Sequence, residues 1–175
     1  MATKFMLFFL CFTLSIVTVK AQKAYVTRNG QISFVATNDD DVSAVNNEVA
    51  SRITTNGDIT FSLLIKSFFF QYAEMQDHFN SDYLQSNTYP RSDFKGKITN
   101  IQSINFSKNG VYPATVQGNL TLHGVTKPIT VNGTIEVQGT KIIAKAKFTL
   151  QLSDFNIHAD RVAKKVAIQF NCTYQ

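Results

Sequence analysis

A mainly β fold, an antiparallel up-and-down barrel of about eight strands with one short helix in a connection, is what the 175-residue sequence predicts. Three observations carry this expectation. From Gln31 onward apolar and polar residues alternate over most of the chain, the period of half-buried strands. The gaps between alternating runs are short, as antiparallel neighbours require. One aromatic-rich stretch, from Phe68 to Pro90, drops the period of two for spacings of three and four. Many short strands with edges to protect favour closure into a barrel, with a two-sheet sandwich as the alternative on pattern alone.

The chain opens MATKFMLFFLCFTLSIVTVKA. Lys4 precedes an apolar run from Phe5 to about Val19, and Val19 and Ala21 supply small residues for cleavage, the layout of a secretory leader. The apolar run falls short of the ~20 residues of a spanning helix. Residues 1–21 are therefore expected to be removed, leaving residues 22–175 as one domain in the periplasm or outside the cell. With Lys4 and Lys20 gone the formal charge falls from +5 to +3. That suits weak, transient contact with a membrane surface, and the lack of a basic cluster interleaved with aromatics excludes nucleic acid as a partner class. Cys11 leaves with the leader, so Cys172 is alone and reads as a small buried hydrophobe beside Ile168 and Phe170.

Each strand is legible as an alternation. Ile32, Phe34 and Ala36 face one way against Ser33 and Thr37, and Ile59, Phe61, Leu63 and Ile65 against Thr60, Ser62 and Lys66. Later come Val116, Gly118, Leu120 and Leu122; then Ile129, Val131, Gly133, Ile135 and Val137; then Ile142, Ala144, Ala146, Phe148, Leu150 and Leu152; and last Val166, Ile168, Phe170 and Cys172. Connections are expected at residues 123–128, 138–140 and 153–161. The small inward residues Gly118, Gly133, Ala144 and Ala146 imply either sharp strand curvature or a cavity. In the aromatic stretch Tyr72, Met75, Phe79 and Tyr83 share one face of a helix that covers the barrel, while Asp77, Asn80 and Gln85 face away. That helix is either a plug completing the core or a lid over a cavity.

Catalytic and metal-binding patterns are missing. His78, His123 and His158 are far apart in sequence, with no HExxH, CxxC or HxH, and no G-x-S-x-G elbow occurs. The run Asp39 to Asp41 looks like a solvated loop without the spaced ligands of a calcium site. Sequons begin at Asn105, Asn119, Asn132 and Asn171 and matter only in a eukaryotic secretory route. No enzyme activity and no metal are expected.

Two stretches together resemble the YceI-like lipid (polyisoprenoid)-binding proteins. One is Met75-Gln-Asp-His78-Phe79-Asn-Ser-Asp82-Tyr83-Leu84, followed by Tyr89-Pro90 and Phe94; the other runs from Gly118 through Leu120-Thr121-Leu122-His123-Gly124-Val125-Thr126-Lys127 to Pro128. The resemblance implies a lipocalin-like barrel holding a long isoprenoid chain. It departs from the family pattern in AYVTRNGQISFVA, which has Ser33 but no His, and in Leu152-Ser153-Asp154-Phe155-Asn156, where a basic residue is usual. Both departures bear on the ligand's headgroup.

The expected ligand-lining set is Phe34, Phe61, Leu63, Met75, Phe79, Tyr83, Phe94, Leu120, Phe148 and Phe170. His78 and His123 are candidates for the mouth, as braces or as donors to a headgroup. The expected partner is an apolar lipid, an isoprenoid or isoprenoid quinone, with no other cofactor. The alternative is a fully packed barrel that acts through its surface.

Overall fold

The computed structural model describes residues 22–159 and 162–175; the expected leader, residues 1–21, lies outside them. Among the described residues the strands are β1 (Ala24–Ala36), β2 (Asp39–Thr54), β3 (Asp58–Leu64), β4 (Phe69–Phe70), β5 (Arg91–Ile98), β6 (Gly110–Leu122), β7 (Val125–Gln138), β8 (Lys141–Gln151) and β9 (Lys165–Tyr174), with one short helix, α1 (Ala73–His78). The sheet order is β1-β9-β8-β7-β6-β5-β3-β2, and β1 pairs with β2 to close an eight-stranded antiparallel barrel. Two-residue β4 adds to β2 through Ala44 and Phe70. Pairing of β1 with β2 removes the two outer edges of the sheet, although the β7–β8 ladder spans only Gly133–Gln138 of β7.

Strand β2 is the largest departure from expectation. Asp39 to Asp41 begin it instead of forming a loop. Its inward residues are Ala44 and Asn46, then Val49, Ser51 and Ile53, so the parity changes across Asn47 and Glu48. There the β1–β2 register shifts, from Ile32 opposite Asn46 to Gly30 opposite Val49. Such a bulge inserts an extra residue and bends the strand. Asn46 sustains it: its Oδ1 accepts from Glu48 N at 2.8 Å, and its Nδ2 donates to Leu64 O at 3.0 Å.

The turn expected over residues 123–128 is tighter than that. Leu122 already pairs with Val125, so His123 and Gly124 alone make the loop, with φ of 50° and 72°. Positive φ at both central residues is the hairpin geometry that matches strand twist.

Two of the small inward residues, Gly118 and Gly133, prove to be points of close strand approach. Gly118 lies opposite Gly96, and a Cβ on it would stand 2.4 Å from Gly96 Cα and 2.7 Å from Phe94 Cζ. A Cβ on Gly133 would meet Lys145 O at 2.3 Å. Close strand approach, rather than room for a ligand, accounts for these two glycines.

One end of the barrel is densely packed. Val49, Ile53, Ile98, Ile142, Cys172 and Tyr174 are fully withdrawn from solvent, and Phe106 of the β5–β6 connection stacks on Tyr25 at 5.6 Å. The Tyr174 hydroxyl donates to Ser51 Oγ at 2.8 Å, and Ser51 donates in turn to Thr60 O at 2.8 Å. Burial pushes the Cys172 thiol up to about 12, which keeps it protonated and unreactive.

Candidate functional site

The other end of the barrel holds a cavity of about 540 Å³. Its wall is made by the ends of strands: Ile32 and Phe34 of β1, Phe61 and Leu63 of β3, Leu120 and Leu122 of β6, Phe148 and Leu150 of β8, and Val166 and Ile168 of β9. These alternate with outward residues, polar on every strand but β9, where Ala167 stands between Val166 and Ile168, so each strand contributes every second side chain. Ile157, Ala159 and Ala163 of the β8–β9 connection complete one side. Ser92 is the polar exception in the wall, and its hydroxyl is committed to Thr121 O at 2.9 Å. An interior of this kind recognises apolar chain and offers little to a reacting group.

The cover comes from the segment that breaks the β rhythm. Helix α1 runs into a π-helical turn over Phe79–Tyr83, where Leu84 N donates to Phe79 O at 2.9 Å. Met75, His78, Phe79, Asp82 and Tyr83 all face the cavity, the spacing of one helix face. Phe79 anchors the cover, with ring centroids 4.9 Å from Phe70, 5.5 Å from Phe68 and 5.7 Å from Phe34. Phe68 and Phe70 point inward because they flank Phe69 in extended backbone, which throws Phe69 outward. Tyr72, expected on the inner face, instead precedes the helix and is 54% exposed. Asn80, expected to face away, is half-buried and bonds Gln76 O through Nδ2.

Asp39, His78 and Asp82 both line the cavity and are exposed, so they mark its opening. His78 Nδ1 lies 2.7 Å from Asp82 Oδ2, and its Nε2 lies 3.8 Å from Glu74 Oε1. The hydrogen bond to Asp82 raises the His78 pKa above its ordinary value, and the same bond lowers that of Asp82. Among the described residues the rim is thus acidic, with its imidazole already engaged.

His123 has a different place. Its Nδ1 donates to Phe155 O at 3.1 Å, and its ring meets Tyr89 edge-on at 4.6 Å. Gly124 leaves room for the Tyr89 ring, since a Cβ there would stand 2.5 Å from Tyr89 Cε1. The two stretches that carry the sequence resemblance therefore meet at Tyr89, His123 and Gly124, as a joint tying three connections together.

Of the expected lining set, Phe34, Phe61, Leu63, Met75, Phe79, Tyr83, Leu120 and Phe148 stand around the cavity, as does His78 at its rim. Phe94, Phe170 and His123 do not. Phe94 and Phe170 are inward but one layer deeper, packed against the far side of Phe61 at 5.3 and 5.8 Å. His123 is turned away by its bond to Phe155. Phe68, Phe70 and Leu84 were not anticipated, although the alternation around exposed Phe69 is visible in the sequence. Among the described residues no three His, Cys, Asp or Glu side chains gather as a metal site.

A family model for the YceI-like domain matches residues 16–174. A UPF0312 protein of Pseudomonas savastanoi is 37% identical over 106 residues, covering 57% of this chain and 52% of its own length. The chain thus spans about half the length of the curated relatives it matches. A polyisoprenoid-binding domain from Saccharophagus degradans superposes with a TM-score of 0.75 at 13% identity, over 87% of this chain and 97% of that one. BcnA of Burkholderia cenocepacia superposes with a TM-score of 0.69 at 18% identity, over 83% and 96%. At such identities the superpositions speak for the shared barrel. Because the family match runs through every strand of that barrel, the chain belongs to the YceI-like domain family.

Proposed function

We propose that the protein is an exported carrier that holds an apolar lipid, an isoprenoid or isoprenoid quinone, inside its barrel for transport or sequestration. The observation that carries this reading is the cavity of about 540 Å³, walled by Leu, Ile and Phe and covered by a helix anchored through Phe79. Burying a CH₂ is worth ~0.8 kcal/mol, so each five-carbon unit taken from water contributes several kcal/mol. The effective competitor is the membrane, where the chain is already dry. Selectivity then falls to cavity shape and to the rim. Asp39, Asp82 and Glu74 around the opening disfavour a phosphate head, so a neutral alcohol or quinone carbonyl suits it better.

Transient membrane contact fits the same end of the molecule. Phe69 and Tyr72 sit on the covering segment with 68% and 54% of their surface exposed. The amino-terminal 21 residues supply the export signal, and protein recovered outside the cytoplasm is expected to begin at Gln22 by mass.

The deciding experiment is organic extraction of gently purified protein, with mass spectrometry of the extract. A stoichiometric isoprenoid or quinone supports the carrier reading. Lipid-free protein that also refuses added prenols of every length, short and long, overturns it.

A further inference from the structure

We infer that an aromatic floor midway down the barrel stops the ligand's apolar chain, so that the ligand is a prenyl chain of bounded length that occupies only one half of the barrel. This rests on the lipid-holding reading above and adds a length limit to it.

The floor is drawn at one level on neighbouring strands. On β6 the cavity reaches Leu120 but not Gly118; on β9 it reaches Ile168 but not Phe170; on β5 it reaches Ser92 but not Phe94. Each pair lies two residues apart, one step along the inward face. Phe61 forms the upper surface, nearly parallel to Phe94 at 14° and 5.3 Å, with Phe170 beside it at 5.8 Å.

Phe94 is held where it is by missing side chains. Its Cζ lies 2.6 Å and 2.7 Å from where Cβ atoms of Gly96 and Gly118 would stand. The ring therefore lies over a cross-strand glycine pair, an arrangement in which an aromatic covers backbone that glycine leaves bare. Below it Ile53, Ile98 and Ile142 are fully buried. A chain entering from the opening between Asp39 and the helix meets a wall.

A chain longer than the cavity must leave part of itself in water or in the membrane it came from. Relative to neutral vesicles, each isoprene unit stranded in water lowers uptake on the order of a hundredfold or more. The test incubates the described barrel's full mature chain with phosphatidylcholine vesicles carrying an equimolar mixture of geraniol, farnesol, geranylgeraniol and solanesol. Protein is separated from vesicles and its prenols are quantified by mass spectrometry. The expected result is retention of farnesol and geranylgeraniol, with solanesol taken up at least about tenfold less.

Two substitutions move the limit in opposite directions. Phe94→Ala removes the ring behind Phe61 and shifts the cut-off to longer prenols. Leu120→Phe, at the cavity wall opposite Phe94 in register, fills space from within and shifts it to shorter ones. The second variant decides the matter even where the first fails to fold, as circular dichroism will report. Solanesol uptake equal to that of farnesol, or one cut-off shared by the original chain and Leu120→Phe, overturns the floor. Failure of the original chain to retain any prenol, short or long, overturns the lipid reading itself.

Discussion

At the packed end of the barrel Ile53, Ile98 and Ile142 expose nothing, whereas around the cavity Phe34, Phe61 and Phe148 are only half-buried. Both sets are apolar side chains on inward positions of strands of one barrel, and Ile142 and Phe148 even share β8. The difference lies in what stands opposite. At the packed end the bulge of β2, the Tyr174 to Ser51 bond and the Phe106 connection bring side chains into mutual contact. At the other end the strands finish before their side chains meet, and a short helix bridges the gap. Inward alternation thus specifies a barrel but not whether its inside is full; that depends on the rings crossing its middle.

The largest effect expected is from Gly118→Leu. Its side chain would be driven into β5 backbone, at a cost of about 3 kcal/mol or more, with loss of cooperative urea unfolding. A stable, folded Gly118→Leu variant would mean that this strand pair can separate to make space.

Next, truncation at the two ends is expected to differ. Ile53→Ala opens a new void in close packing and costs about 2–5 kcal/mol. Leu150→Ala only enlarges an existing cavity, so its cost stays near the transfer contribution, about 2 kcal/mol. Equal costs by urea denaturation would erase the contrast.

Ser51→Ala strands the Tyr174 hydroxyl in the packed end and is expected to cost about 1–3 kcal/mol. Adding Tyr174→Phe removes the orphaned hydroxyl and should recover part of that loss.

The smallest effect lies at the rim. The His78 pKa is raised, so its ion pair helps most when the imidazole is charged, below about 6.5, and that help is lost as pH rises through the elevated folded value. Asp82 works from the other side: its lowered pKa contributes above the ordinary carboxylate value and is lost as pH falls through the folded one. NMR titration should place His78 above 6.5, and Asp82→Asn should bring it down. An unchanged titration would remove Asp82 from the rim.

Much of this was legible from residues alone. The alternation from Val116 to Leu122 and from Val166 to Cys172 marks strands because burial on one face demands it. Met75, Phe79 and Tyr83 mark the cover because their spacing is helical. Strand β2 was not legible, since the bulge at Asn47 and Glu48 changes which residues point inward halfway along it. Tyr72 was misplaced because the helix starts one residue later, so the face begins at Met75.

Local pattern thus settles the class of fold, the position of the helix and which residues of most strands point inward, because these depend on periods of two and of three to four within a few residues. Contacts between distant segments settle the rest. Whether Gly118 makes room for a ligand or for Phe94 depends on Gly96, more than twenty residues earlier in the chain and its partner only across the β5–β6 ladder. Whether His123 serves the mouth or the scaffold depends on the carbonyl of Phe155. The cavity ends where Phe61, Phe94 and Phe170, from three different strands, close over the same cross-section, a coincidence of register that no single stretch of sequence contains.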